Sequence, residues 1–212
     1  RNDIEIVAGA DLVPGKARAF LDGFKLTEAR DYNSHTELLE KENDLDAVSV
    51  CTWNCAHESC TIMALEAGKH VLCEKPMSVS VEAAERMKAA AEKAGKILAL
   101  GFVRRYGNDC KILKEFAEKD TFGEIYYTKA MYLRRNGNPG GWFSDISRSG
   151  GGCLIDLGVH VIDLTRYLAG GPKPVSAYGA TFNNIGCRRA KGGDEAWLAP
   201  VGGNGYEFSV ED

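Results

Sequence analysis

Apolar positions fall into short runs separated by stretches of helical spacing. Ile4 to Ala10 is a short apolar run and reads as a buried strand. A helical stretch follows from about Pro14, with proline at a tolerated first-turn position. Ser34-His35-Thr36-Glu37 is a capping box that opens a helix through Leu38 and Leu39. Asp46 to Cys51 is a second strand, and His57 to Ala67 a helix closed by Gly68. His70 to Cys73 is a third strand. Ser80 is a good N-cap for the helix Val81 to Ala94, which Gly95 ends. Ile97 to Phe102 is a fourth strand. Strands alternating with helices of about 10–15 residues are the signature of parallel βαβ winding with right-handed crossovers. The first half therefore predicts an α/β, doubly wound sheet.

The pattern changes after Arg105. Lys111 to Lys119 looks helical, and Glu124 to Leu133 alternates well enough for a half-exposed strand. A Gly-, Asn- and Pro-containing loop runs from Arg135 to Gly152. Leu154 to Leu168 is a helix by periodicity, and Pro174 to Phe182 another strand. From Asn183 onward glycine is frequent and periodicity is lost. This places a domain boundary near Val103 to Tyr106, with residues 1–103 in one domain and 104–212 in a second.

Composition narrows the function. The 212 residues are 44% hydrophobic and 26% charged, a globular balance that can bury a core without staples. A net charge of -4 leaves no basic footprint for nucleic acid. No apolar run approaches the roughly 18 residues of a membrane span. The seven cysteines are odd in number and form no Cys-x-x-Cys pair. Cys51, Cys73 and Cys153 sit in apolar runs, as small hydrophobes do. This suits a reducing compartment, the cytoplasm, with no disulfide framework. No signal peptide is visible, in a sequence that starts at Arg1 rather than Met.

Three features carry chemistry. A dinucleotide fold needs Gly-x-Gly-x-x-Gly between its first strand and helix, so that backbone N–H groups reach the pyrophosphate. None stands before Ile4, and the simplest account is that the sequence begins after the first βα unit. Asp11 then sits where such folds place the acidic residue that hydrogen-bonds the ribose 2′-hydroxyl. Asp at a strand end is more often a turn former. No Arg directly follows it, which leans toward NAD over NADP. The second feature is Cys73-Glu74-Lys75-Pro76 at the carboxyl end of a parallel strand, where ligands of open α/β sheets bind. Pro76 pushes Lys75 out of the helical region, and a cis Lys75–Pro76 bond would fix the lysine's direction. Most Lys-Pro pairs are simply a solvated lysine before a turn.

The third feature is Gly150-Gly151-Gly152 followed by Asp156, His160 and Asp163 at spacings of four and three, facing one way on an apolar helix. Asp156 beside His160 can orient the imidazole and stabilise its protonated form. The glycines let backbone approach a ligand closely. A single buried His is more often a satisfied core residue than a catalyst. A metal site from Asp156, His160 and Asp163 is the weakest reading, and no metal is expected; His57 with Cys51, Cys55 and Cys60 matches no usual zinc spacing.

Together these residues resemble the Gfo/Idh/MocA oxidoreductases, the family of glucose–fructose oxidoreductase and inositol dehydrogenase. The resembling segments are Cys51-Thr52-Trp53-Asn54 with His57, Ala64 to Pro76, Gly101 to Tyr106, and Gly150 to Leu164. They run in family order and cover most of residues 1–182. The resemblance implies a Rossmann domain, its first βα unit missing. Part of an α/β domain then follows, with an open, mostly antiparallel sheet that often makes the contact of a homo-oligomer. It implies catalytic Lys75, Asp156 and His160. It places Asp11, Thr52, Trp53, Asn54, His57, Glu74, Lys75, Arg104 and Trp142 along an NAD groove, with NADP a second possibility. Trp53 stands where the family usually has Pro. Without the glycine loop, this stretch is expected to bind dinucleotide poorly or not at all.

The implied reaction is oxidation of a secondary hydroxyl of a sugar, glycoside or cyclic polyol. His160 accepts the hydroxyl proton, Asp156 holds it, and Lys75 anchors the developing alkoxide. Rivals are an NAD-dependent glycosidase of the same family, a non-catalytic NAD- or sugar-binding sensor, and a zinc hydrolase. The segment Arg134 to Trp142 and the glycines near Gly202 are expected to shape the pocket.

Overall fold

The computed structural model describes residues 3–133, 139–184 and 209–211. Among the described residues five strands form two all-parallel sheets. One pairs β1 (Ala8–Ala10) with β2 (Arg30–Tyr32); the other has the order β3 (Ala47–Val50), β4 (His70–Cys73), β5 (Leu98–Leu100). The helices between them are α1 (Lys16–Gly23), α2 (His35–Lys41), α3 (His57–Glu66) and α4 (Val81–Ala94). The alternating α/β reading of the first half is thus the observed architecture.

Local chemistry sets the boundaries. Ser34 accepts a hydrogen bond from the Glu37 N–H at 3.0 Å, and the Glu37 carboxylate reaches back to the Asn33 N–H at 3.2 Å. Ser80 caps α4 through the Ala83 N–H at 3.2 Å, and Gly95 ends it with φ 61°. The core lies where α3 and α4 cover β3 and β4: Val50, Cys60, Ala64, Leu65, Val71, Cys73, Met87 and Ala91. Burial pushes the Cys73 thiol up to about 11, so it packs as a hydrophobe. All six cysteines among the described residues are free.

The structure departs from the sequence reading in three respects. The first strand is shorter than Ile4 to Ala10, with Ile4 and Ile6 exposed, because β1 pairs on one side only. The strand Arg30–Tyr32 has no apolar alternation; parallel pairing to β1 makes it a strand, not its own pattern. Residues 124–133 and 174–182 lie outside every ladder of the described residues and are mostly exposed. Alternation gives a strand its faces, but only a partner gives it hydrogen bonds.

Beyond β5 come a 3-10 turn (Val103–Tyr106), α5 (Asn108–Glu118), a second 3-10 turn (Gly141–Ser144) and α6 (Ile146–Ser149). The stretch read as one helix from Leu154 is a π-helical turn, Leu154–Gly158, running into α7 (Val159–Leu168). Residues 134–138 and Gly202, expected to shape a pocket, lie outside the described residues. Among the described residues no helix is long and apolar enough to cross a membrane.

Candidate active site

Lys75 lies two residues past the end of β4, separated from it by Glu74, so the sheet places it at the carboxyl edge. The Lys75–Pro76 peptide is cis. The Lys75 N–H donates to the Glu74 carboxylate at 3.2 Å. That carboxylate lies against Gly101, where a Cβ would stand 3.1 Å from it. Its ammonium crosses to the π-helical turn and donates to the Asp156 carboxylate at 2.7 Å and to the Asp156 carbonyl at 2.8 Å. A π turn breaks the ordinary i→i−4 ladder, and such turns are frequent at functional sites. Here the carbonyl of a residue in that turn accepts from a lysine 81 positions earlier in the chain.

The expectation that Asp156 orients His160 is not met. Asp156 is committed to Lys75, and among the described residues His160 Nδ1 is buried with no hydrogen-bond partner. Burial, then the charges of Lys75 and Arg104, hold the His160 imidazole below its ordinary value, and Asp156 only partly opposes them. The ring therefore favours its neutral form. Asp163, the third residue of the stripe, is bound by Arg105, whose Nε donates to it at 2.8 Å. Arg105 also lies over the rings of Tyr167 and Phe102, at 4.9 and 5.4 Å. That cluster ties α7 to the segment after β5. Among the described residues no group of three His, Cys, Asp or Glu side chains could hold a metal ion.

The glycine run serves the protein's own chain. Gly150 has φ 77°, and a Cβ there would meet Val79 Cγ1 at 2.5 Å. A Cβ on Gly152 would strike the Glu211 backbone. The close approach expected for a ligand is made by these residues instead.

The remaining groove residues differ in burial. Thr52, Trp53 and Arg104 are exposed. Arg148 stacks over Trp53 at 4.1 Å, a contact across 95 residues that nothing in the sequence signals. Arg104 donates to the Tyr132 hydroxyl at 3.1 Å. Trp142 stacks on Phe143 at 3.9 Å within its 3-10 turn. Asn54 and His57 are instead buried and bonded to backbone carbonyls. Asp11 is partly buried beyond β1. Its carboxylate accepts from the Val13 N–H at 2.9 Å and pairs with Lys16 at 2.8 Å. A carboxylate has about four lone-pair sites, so capacity remains for a ribose hydroxyl, and the residue fits a dinucleotide.

Comparison with known proteins bears on the fold and the family. A sequence model described as an oxidoreductase family with an NAD-binding Rossmann fold matches residues 1–102, and one of the GFO/IDH/MocA C-terminal domain matches residues 111–199. The D-glucoside 3-dehydrogenase of Escherichia coli strain K12 is 38% identical over 100% of this chain and 58% of its own length. The myo-inositol 2-dehydrogenase of Thermotoga maritima is 35% identical over 69% of this chain and 42% of its own. A levoglucosan dehydrogenase solved with NADH and levoglucosan superposes with a TM-score of 0.67 at 26% identity, covering 78% of this chain and 45% of that one. The chain thus spans about half the length of the relatives it matches.

Proposed function

The chain belongs to the GFO/IDH/MocA oxidoreductase family, and on that premise we propose that it works in an NAD-dependent dehydrogenase oxidising one secondary hydroxyl of a sugar, glycoside or cyclic polyol. The observation that carries the reading is the Lys75 ammonium, 2.7 Å from Asp156, with its charge helping to hold the partly buried His160 imidazole below its ordinary value. An ammonium has three donors, and Asp156 takes two of them, on its carboxylate and its carbonyl. The third is free for a substrate oxygen, where it stabilises developing alkoxide charge.

His160 supplies the base. Its Nδ1 is sealed, so Nε2 is the nitrogen open to a substrate, and a base at Nε2 requires the ring proton on Nδ1. Nε2 takes the hydroxyl proton while Lys75 holds the same oxygen. A nicotinamide held in the groove would supply the acceptor for the carbon-bound hydride. Asp11, Thr52, Trp53, Glu74, Arg104 and Trp142 form the proposed walls of the cofactor groove. Asp11, with no arginine directly after it, favours NAD over NADP. Glucoside and levoglucosan dehydrogenases among the similar proteins support a sugar or glycoside substrate. Residues 1–103 and 104–212 are the proposed cofactor and substrate domains, and the complete protein a proposed cytoplasmic homo-oligomer.

The test is NAD reduction by the full-length protein over a panel of glucosides, anhydrosugars and inositols. Turnover that survives both His160→Ala and Lys75→Ala overturns the assignment. Release of aglycone without NADH accumulation points to the glycosidase reaction instead.

A further inference from the structure

Asn54 opens the 3-10 turn Asn54–Ala56 after β3, and His57 is the first residue of α3. Both are buried, at 5% and 1% exposure. Asn54 Nδ2 donates to the Ser149 carbonyl at 2.7 Å. His57 Nδ1 lies 2.7 Å from the Pro76 carbonyl, and Nε2 lies 3.2 Å from the Thr52 carbonyl. A carbonyl only accepts, so the shorter contact assigns the ring proton to Nδ1.

The two anchored carbonyls belong to different halves of the site. Pro76 directly follows Lys75. Ser149 directly precedes the glycine run that leads to Asp156 and His160. The chain fixes the two halves relative to each other through residues only three apart. A groove contact would present its polar atoms to the ligand; the Asn54 amide nitrogen and both His57 ring nitrogens face protein backbone.

We propose that Asn54 and His57 are positioning residues, together a jig that sets the separation of Lys75 from Asp156 and His160, and not contacts to the dinucleotide. The inference rests on the reading of those three as the reacting set. It also accounts for the neighbouring contact, in which Arg148 stacks on Trp53 and holds the same two segments together on the exposed side. Removing either polar side chain leaves a buried carbonyl unpaired and frees one segment to shift.

The experiment uses the full-length protein with Asn54→Ala, His57→Ala, His57→Asn and His57→Gln. Three quantities are read: NADH affinity by fluorescence titration, kcat and KM on a glucoside, and the His160 titration by NMR. Both alanine variants are expected to lower kcat about tenfold or more, the scale of a reacting group displaced by a fraction of an ångström. NADH affinity should change less than about threefold, under 1 kcal/mol. The His160 midpoint should rise toward its ordinary 6.5 as Lys75 withdraws and the site wets. His57→Asn keeps a donor where Nδ1 stands and should recover most of kcat; His57→Gln should not. NADH affinity weakened about tenfold or more with turnover intact at saturating NAD, or a His160 midpoint unmoved in both alanine variants, overturns the jig. If the alanine variants do not fold, equal behaviour of the Asn and Gln variants overturns it. A wild type inactive on every substrate sinks the dehydrogenase reading alone, since NADH affinity and the His160 titration still report the jig.

Discussion

The ammonium of Lys75 grips Asp156 twice, on the carboxylate at 2.7 Å and on the backbone carbonyl at 2.8 Å. A carboxylate alone would let the lysine swing with the aspartate's χ angles. The second bond ties it to the main chain of the π-helical turn, so the tip of β4 and the start of α7 share one fixed point. Both side chains are about one-sixth exposed, at 17% and 16%. Screening is weak there, yet water still reaches the pair.

Asp156→Asn keeps the carbonyl contact and removes the charge. Stability should fall by about 1–3 kcal/mol, the scale of leaving a largely desolvated polar group poorly paired. Activity should fall further, because the ammonium loses its charged partner and an amide oxygen holds it less firmly. Lys75→Met should abolish measurable turnover while leaving the fold intact. Urea midpoints and kcat/KM on the full-length protein separate the two effects; an Asp156→Asn variant with wild-type kcat removes Asp156 from the site.

His160 gives a pH signature. Its imidazole is held below 6.5, first by burial and then by Lys75 and Arg104. As a neutral base it should make kcat/KM rise with pH through a midpoint below 6.5 and level off above. Lys75→Met removes the second cause and should move the midpoint up; NMR titration of His160 reads this even where turnover is lost. The folding linkage has a definite sign. Between the folded value and 6.5 the unfolded chain binds more protons, so this contribution to stability is complete above 6.5 and is lost as pH falls through the folded value. A midpoint at or above 6.5 in the wild type rules out this electrostatic picture.

Much of the first half was legible because its signals are local. Ser34, Ser80 and Gly95 act on the residues beside them, and each capped the helix its sequence position predicted. The strand Arg30–Tyr32 was not legible, since only its pairing with β1 defines it. Periodicity over a dozen residues could not tell a π turn at Leu154–Gly158 from ordinary helix. That difference decides which way the Asp156 carbonyl points. The spacing of Asp156, His160 and Asp163 picked out three polar positions, but not their partners. Those come from Lys75 and Arg105, 81 and 58 residues away, and no local pattern encodes them.

The Arg105–Asp163 pair anchors α7, and Asp163 is the more deeply buried partner, at 10% exposure against 38%. Asp163→Ala should cost about 1–3 kcal/mol and lower kcat, because His160 lies one turn away on the same helix. Arg105→Lys should not restore the anchor, since an ammonium offers no planar fork and stacks poorly on Tyr167. Denaturation midpoints for the two variants check this. An Arg105→Lys protein as stable as the wild type would show that charge alone suffices.

Asp11 bears on cofactor choice. Its charge should repel a 2′-phosphate while its free lone pairs accept a ribose hydroxyl. Asp11→Ser should weaken NAD binding about tenfold, since hydrogen bonds to charged groups are worth about 1.5–3 kcal/mol. It should also free Lys16 from its 2.8 Å ion pair to meet a phosphate, improving NADP at the expense of NAD. Kd values for NADH and NADPH in the full-length protein decide. Unchanged discrimination removes Asp11 from the groove.

Gly150 is the position where backbone and space make the same demand. Its φ of 77° disfavours any L side chain, and an added Cβ would stand 2.5 Å from Val79 Cγ1 and 2.7 Å from Val79 Cβ. Gly150→Ala should therefore combine about 1–2 kcal/mol of left-handed strain with about 1–3 kcal/mol of overpacking. Val79→Ala should recover little of that loss, because it keeps the Cβ that makes the second contact and leaves φ unchanged. The displaced segment includes Ser149, whose carbonyl is held by Asn54, so turnover should fall along with the urea midpoint. A Gly150→Ala protein that unfolds at the wild-type midpoint would mean the run adopts another backbone path, and the contact with Val79 would then not exist in solution.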